Sequence, residues 1–127
     1  MGKLAYLSVG IVVGVLLGTS AFSKQGTGTL DPAKLAPQMY RVILDNSKLR
    51  VMDYHLKPGK QEPLHSHPNG TFVYFFTDAD MQPVSGGNET HNRVGDAIWR
   101  DPVTHAGKNT GASEVHALLV EPKESCK

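Results

Sequence analysis

The sequence predicts an all-β domain, a small barrel or sandwich, and three observations predict it. Short runs of β-branched and aromatic residues recur from Met39 to Glu121, each closed by a Gly, Pro, Asn or Asp turn signal. One of them, LRVMDYHL, alternates, with Met52, Tyr54 and Leu56 on one face and Val51, Asp53 and His55 on the other. No long stretch has helical periodicity.

The chain opens differently. Lys3 is followed by LAYLSVGIVVGVLLGTSAF, which carries no charge up to Ser23. A basic start, an apolar run and small residues at Thr19, Ala21 and Ser23 predict a signal peptide over residues 1–23. The alternative is an uncleaved anchor, because the apolar run approaches the ~20 residues that span a bilayer. The expected location is periplasmic or extracellular, or membrane-anchored if the helix is retained. No Cys stands directly after the apolar run and no Arg-Arg pair precedes it, which argues against lipoprotein processing and twin-arginine export.

Residues 24–38, rich in Gly, Thr, Lys and Pro, read as a linker or N-terminal arm. The barrel is expected over 39–122 and a tail over 123–127. MYRVILD is the first strand, ending at the turn signal Asp45-Asn46-Ser47; LRVMDYHL is the second, closed by Pro58-Gly59. GTFVYFF is the next clear strand. TDADMQPVSGGNE reads as a break, with a hairpin signal at Gly86-Gly87-Asn88, and ETHNRV pairs back. Gly95-Asp96 turns into AIWR, Asn109-Thr110-Gly111 turns again, and EVHALLVE is the last strand.

Composition narrows the function. The 127 residues have a net charge of +1, and removing residues 1–23 takes away one charge, Lys3, leaving a neutral chain of 104 residues. That size suits one domain. Neutrality without a basic patch makes nucleic acid a poor partner. The single cysteine, Cys126, forms no internal disulfide and reads as a tail residue. No nucleophile constellation and no phosphate loop is present; the Gly-Gly-Asn stretch is a hairpin turn rather than the start of a helix.

Three histidines carry the remaining signal. His65 and His67 sit two apart in PGKQEPLHSHP, and His105 follows in DPVTHAGKNTG. Alternate strand residues share a face, so a strand through His65 and His67 aims both rings one way, and His105 on another strand completes a three-imidazole set. Imidazole is the commonest ligand for first-row transition ions. His55, His91 and His116 have no partner at ligand spacing and read as exposed or rim residues.

With these residues in place the chain resembles the cupins. Their first motif runs from a Gly through five residues to His-x-His, then to a Glu and a closing Gly; Gly59, His65 and His67 match its first half. Gly95 opens the second motif, and His105 with Asn109 closes it at the H-x3-N spacing. The likeness covers residues 40–121, and more narrowly it is to small single-domain bacterial cupins, of the kind labelled β-alanine-degradation-like. It implies a double-stranded β-helix, preceded here by the signal peptide, with a divalent ion (Fe, Mn, Zn, Cu or Ni) on His65, His67 and His105. Three departures stand out. The motif's Glu falls at Thr71 or Phe72, its closing Gly at Asp78, and the second motif is one residue short, with its Pro and Gly pair reduced to Asp101-Pro102.

Three neutral ligands leave the charge of a divalent ion uncompensated, so the site should attract a small anionic molecule. They also leave coordination positions open, where water, substrate or O₂ can bind. Some cupin thiol and diketone dioxygenases use three histidines, a likeness of ligand set. The expected function is thus a metal-dependent enzyme, an oxygenase or relative acting on a small carboxylate or enolisable substrate. The alternatives are a non-catalytic metal- or anion-binding module and a purely structural envelope protein. Thr71 and Val73 share one strand parity, and Thr71 stands at the absent Glu, so both are expected to face the pocket; Trp99 is the further pocket candidate. Asn109 is expected to stabilise its turn, and open strand edges favour a homodimer.

Overall fold

The computed structural model describes residues 30–124. The expected signal peptide, the first part of the arm and Cys126 lie outside them. Ten strands and one short helix follow in order: α1 (Pro32–Leu35), β1 (Tyr40–Asp45), β2 (Leu49–Leu56), β3 (His65–His67), β4 (Thr71–Phe75), β5 (Ala79–Pro83), β6 (Thr90–Asn92), β7 (Ala97–Arg100), β8 (Val103–His105), β9 (Gly107–Asn109) and β10 (Val115–Pro122). They form a five-stranded sheet, β1-β2-β10-β4-β7, a three-stranded sheet, β6-β5-β9, and the pair β3-β8, all antiparallel. Each of the ten strands contributes at least one residue to the lining of a single central cavity, so the three sheets close into a barrel. Among the described residues no helix is long and apolar enough to cross a membrane.

Strand periodicity builds the core. Met52, Tyr54 and Leu56 of β2 are buried, as the alternation predicts, and the intervening residues are not. On β10 the inward residues are Val115, Ala117 and Leu119. Register sets Ala117 beside Tyr54 on one side and Phe75 on the other, and Leu119 between Met52 and Val73. Directly opposed side chains on one face are the contacts that stabilise a sheet.

The structure adds two strands that the sequence did not announce, the short β9, which ends on Asn109 of the expected turn, and one that composition concealed. Ala79–Pro83 lies within the stretch read as a break, yet it forms β5, paired with both β6 and β9. Ala79 is fully buried while Asp80 bonds outward to His91 and Arg93. Asp80 and Gln82 in so short a run, with a proline at its end, hide its alternation. The Gly86-Gly87 hairpin is present between β5 and β6, with φ of 89° and 110°, values that favour glycine.

The described part of the arm is built into the domain. Asp31 caps α1, its carboxylate accepting from Ala33 N at 3.1 Å, and Pro32 takes the first helical position. Arg50 of β2 donates to both Asp31 oxygens at 2.9 and 3.1 Å. Ser66 N donates to Leu30 O at 2.8 Å. Burial of Pro32 and Ala36 completes the docking, so residues 30–38 are more firmly held than their composition implies.

Candidate metal centre

His65 and His67 flank Ser66 on β3, and strand alternation turns both rings into the barrel, where they are fully buried. Ser66 points out, its Oγ 2.6 Å from Thr104 Oγ1. β8 pairs with β3 so that His105 lies directly opposite His65. The shortened second motif therefore still brings His105 to the others. Ring centroids are 4.8 Å apart for His65–His67, 4.5 Å for His65–His105 and 5.4 Å for His67–His105. One ligating atom from each of the three lies within 4.8 Å of the others.

Hydrogen-bond partners fix the ring tautomers. His65 Nδ1 donates to Pro63 O at 2.8 Å, and His67 Nδ1 donates to Glu121 Oε1 at 2.5 Å. Both Nε2 atoms are thereby left with a lone pair, and they face each other at 3.1 Å. The Tyr40 hydroxyl, whose hydrogen goes to Glu62 Oε1 at 2.7 Å, turns its own oxygen to His65 Nε2 at 3.3 Å. Electron-rich atoms this close repel one another unless a cation lies among them, so the donor set fits a transition ion. A carboxylate behind a ligating histidine, as Glu121 is behind His67, is the usual outer partner of such a ring.

Burial depresses the basicity of His65. It does the same for His105, helped by the Arg100 charge and the other two rings, to a pKa of about 3. Arg100 Nη1 sits 3.3 Å from His105 Nε2, and a guanidinium can only donate. Glu121 is pushed up by burial, but hydrogen bonds from His67 and Arg50 outweigh this and hold its carboxyl below the usual range. Arg50 spans Glu121 Oε2, at 2.6 Å, and Asp31, so His67 is tied through Glu121 and Arg50 to the cap of α1.

The cavity holds about 370 Å³ and opens beside the three rings. Thr71 is fully buried and lines it with Val73, while Phe72 faces outward. Thr71 Oγ1 lies 3.3 Å from both the Val120 and the Phe72 carbonyl oxygens, which share its one hydrogen. Trp99 requires a correction: it does not line the cavity. β7 pairs with β4 so that Thr71 opposes Arg100 and Phe72 opposes Trp99, which places Arg100 inside and Trp99 outside, 49% exposed. The indole instead lies over Gly70 and donates to Asp101 Oδ1 at 3.1 Å. Asn109 is fully buried and braces the chain, donating to Leu56 O and Ser113 O.

Sequence reasoning missed four residues around the rings. Glu62 is buried, accepting from Tyr40 at 2.7 Å, Tyr54 at 2.5 Å and Gly107 N at 2.8 Å. Burial, reinforced by the Glu62 charge, pushes both tyrosine hydroxyls well above their ordinary pKa. Tyr54 was readable as inward from the β2 alternation; Arg100 was not, because the parity of AIWR groups it with Ile98 and leaves open which face turns inward. Glu62 and Tyr40 had no such signal, because they reach the site from a loop and from the first residue of a strand.

Solved structures carry the same barrel. A cupin domain from Bordetella pertussis Tohama I superposes with a TM-score of 0.59 at 19% identity, over 68% of this chain and 93% of that one. The fold is that of the cupins. Two further structures that superpose on this barrel are the polyketide cyclase RemF from Streptomyces resistomycificus, with a TM-score of 0.55 at 18% identity over 67% of this chain and 64% of that one, and the DMSP lyase DddQ from Ruegeria pomeroyi, with 0.51 at 16% over 62% and 40%. No protein-family model and no curated protein sequence matches the chain.

Proposed function

We propose that this cupin-fold protein is an exported metal-dependent enzyme acting on a small carboxylate or enolisable substrate. The observation that carries the reading is Arg100. It is the one Lys or Arg side chain lining the cavity among the described residues, and it stands beside His105. A substrate carboxylate would give Arg100 a charge-assisted partner stronger than a neutral imidazole. His65, His67 and His105 would hold the ion, which when bound supplies Lewis acidity for polarising a carbonyl. Glu62 orients the Tyr40 hydroxyl toward His65, and that oxygen is the group placed to hold or pass a proton at the edge of the site. Val73, Phe75 and Leu119 exclude water from the apolar side.

The names of the cyclase and the lyase favour chemistry at an acidic carbon, and oxygenation of an enolised substrate uses the same residues. Elemental analysis of protein from its native compartment, followed by turnover of small 2-oxo and 1,3-dicarbonyl carboxylates with and without O₂, tests the reading. One equivalent of metal lost in His67→Gln, together with turnover lost in that variant, is the expected result. Dependence on O₂ selects the oxygenase form. Metal-loaded protein that binds these anions through Arg100 without turnover would replace the enzyme by a binding module. Protein that neither binds nor converts them would overturn the reading altogether.

A further inference from the structure

A second set of metal-ligating side chains lies on the opposite face of the sheet that carries Tyr54 and Ala117. His55 of β2 and His116 of β10 are directly opposed in the register, so their rings leave the sheet on one side, and Asp53 projects from that side two residues before His55. The imidazoles stack at 4.1 Å with an interplanar angle of 17°. Both Nε2 atoms turn to one carboxylate oxygen, Asp53 Oδ1, at 2.8 Å from His116 and 3.4 Å from His55. Two ring nitrogens and an oxygen thus lie within 4.8 Å of one another.

The surroundings prepare these atoms. Glu114 Oε1 sits 3.1 Å from His55 Nδ1 and takes its hydrogen, which leaves Nε2 as the free lone pair. Arg41 occupies the other Asp53 oxygen, Oδ2, at 2.7 Å, so Oδ1 is the one turned to the rings. Phe76 packs on His116 at a centroid distance of 4.7 Å and restricts its rotation. Thr77 Oγ1 accepts from His116 N and donates to Glu114 O, pinning the backbone between the two. Two carboxylates against one guanidinium leave the patch negative when the imidazoles are neutral. His55 and His116 remain reachable from solvent, their side chains 40% and 35% exposed.

We propose that Asp53, His55 and His116 form a second, solvent-facing binding site for a divalent transition ion. Two imidazole nitrogens and one carboxylate oxygen suit Zn²⁺, Ni²⁺ or Cu²⁺ rather than Ca²⁺ or Mg²⁺. Three ligands leave a position open to water or to a donor from another molecule. An ion there staples β2 to β10, the central strand of the five-stranded sheet and its neighbour. The competing arrangement is a metal-free network of histidine–carboxylate ion pairs.

Zn²⁺ titration of the metal-stripped full chain, followed by calorimetry and thermal melting, separates the two. His67→Gln, which disables the barrel site, is expected to keep one equivalent of Zn²⁺ and to melt higher when it is added. Adding His55→Gln and His116→Gln to that background is expected to remove the remaining equivalent and the shift, while both proteins melt alike without metal. The single variant Asp53→Asn is expected to weaken this equivalent by about tenfold or more. Zn²⁺ stoichiometry and melting shift that are the same with and without His55 and His116 would overturn the proposal, as would the absence of bound Zn²⁺ in His67→Gln.

Discussion

At the residue scale, the barrel site depends on what stands behind each ring. Glu121 is the sharpest case, because one carboxylate serves His67 through Oε1 and Arg50 through Oε2. Replacing Glu121 with Gln keeps the shape and removes the charge that fixes the His67 tautomer. Metal affinity is expected to fall about 10–100-fold, the usual effect of losing such an outer partner, as read by competition with a chelator; unchanged affinity would mean that His67 is oriented by packing alone. Thr71 offers the opposite experiment. Its buried side chain faces the cavity, and of the two positions, Thr71 and Phe72, to which the resemblance assigns the motif's Glu, it is the inward one. Thr71→Glu is expected to add a hard anionic donor, to shift preference toward Mn²⁺ over Cu²⁺, and to weaken binding of carboxylates. Competitive metal titration and anion binding on parent and variant read this directly; unaltered profiles would show that the new carboxylate stays out of the ion's reach.

At the scale of elements, parity governs what reached the site and what could be read beforehand. His65 and His67 were legible because two residues on one short strand declare their shared face. Thr71 and Val73 were legible for the same reason. Trp99 was not, since facing is set by pairing with β4, and neighbouring position 100 takes the inward place. His55 and His116 were read separately as rim residues because they become partners only through the register of β2 and β10, 61 positions apart in sequence. The β3–β4 turn shows how closely the elements are fitted. Gly70 has φ of +81°, and a Cβ there would lie 2.5 Å from Trp99 Cζ2 and 2.9 Å from the Arg100 carbonyl. Gly70→Ala is expected to cost roughly 1–2 kcal/mol for the left-handed backbone, with a further loss from displacing β7. Urea denaturation measures the sum, and a variant as stable as the parent would show that the turn relaxes to another geometry.

At the scale of the whole molecule, a closed barrel buries weakly basic rings, and this makes folding sensitive to acid. His105 has a pKa of about 3 in the folded protein, and His65 is lowered in the same sense by burial; an unfolded imidazole titrates near 6.5. Between those values the unfolded chain binds protons that the folded chain refuses, so stability falls as pH drops from about 6.5 toward 3. Glu121 and Asp53, the latter held at about 2 chiefly by its hydrogen bond from Arg41, act lower down. Their contribution is present in full above the ordinary carboxylate range and is lost as pH falls from that range through their lowered folded values. Metal-stripped protein is therefore expected to lose melting temperature in two stages, with the first already under way at pH 6. His105→Asn removes a group that titrates in the first stage and leaves the carboxylates untouched, so the first stage should flatten while the second persists. Adding a divalent ion to the parent should steepen the first stage, because protons and the ion then compete for the same rings. A parent whose melting temperature is level from pH 6.5 to 5, with and without the ion, would mean that these rings take up protons in the folded barrel as easily as in water.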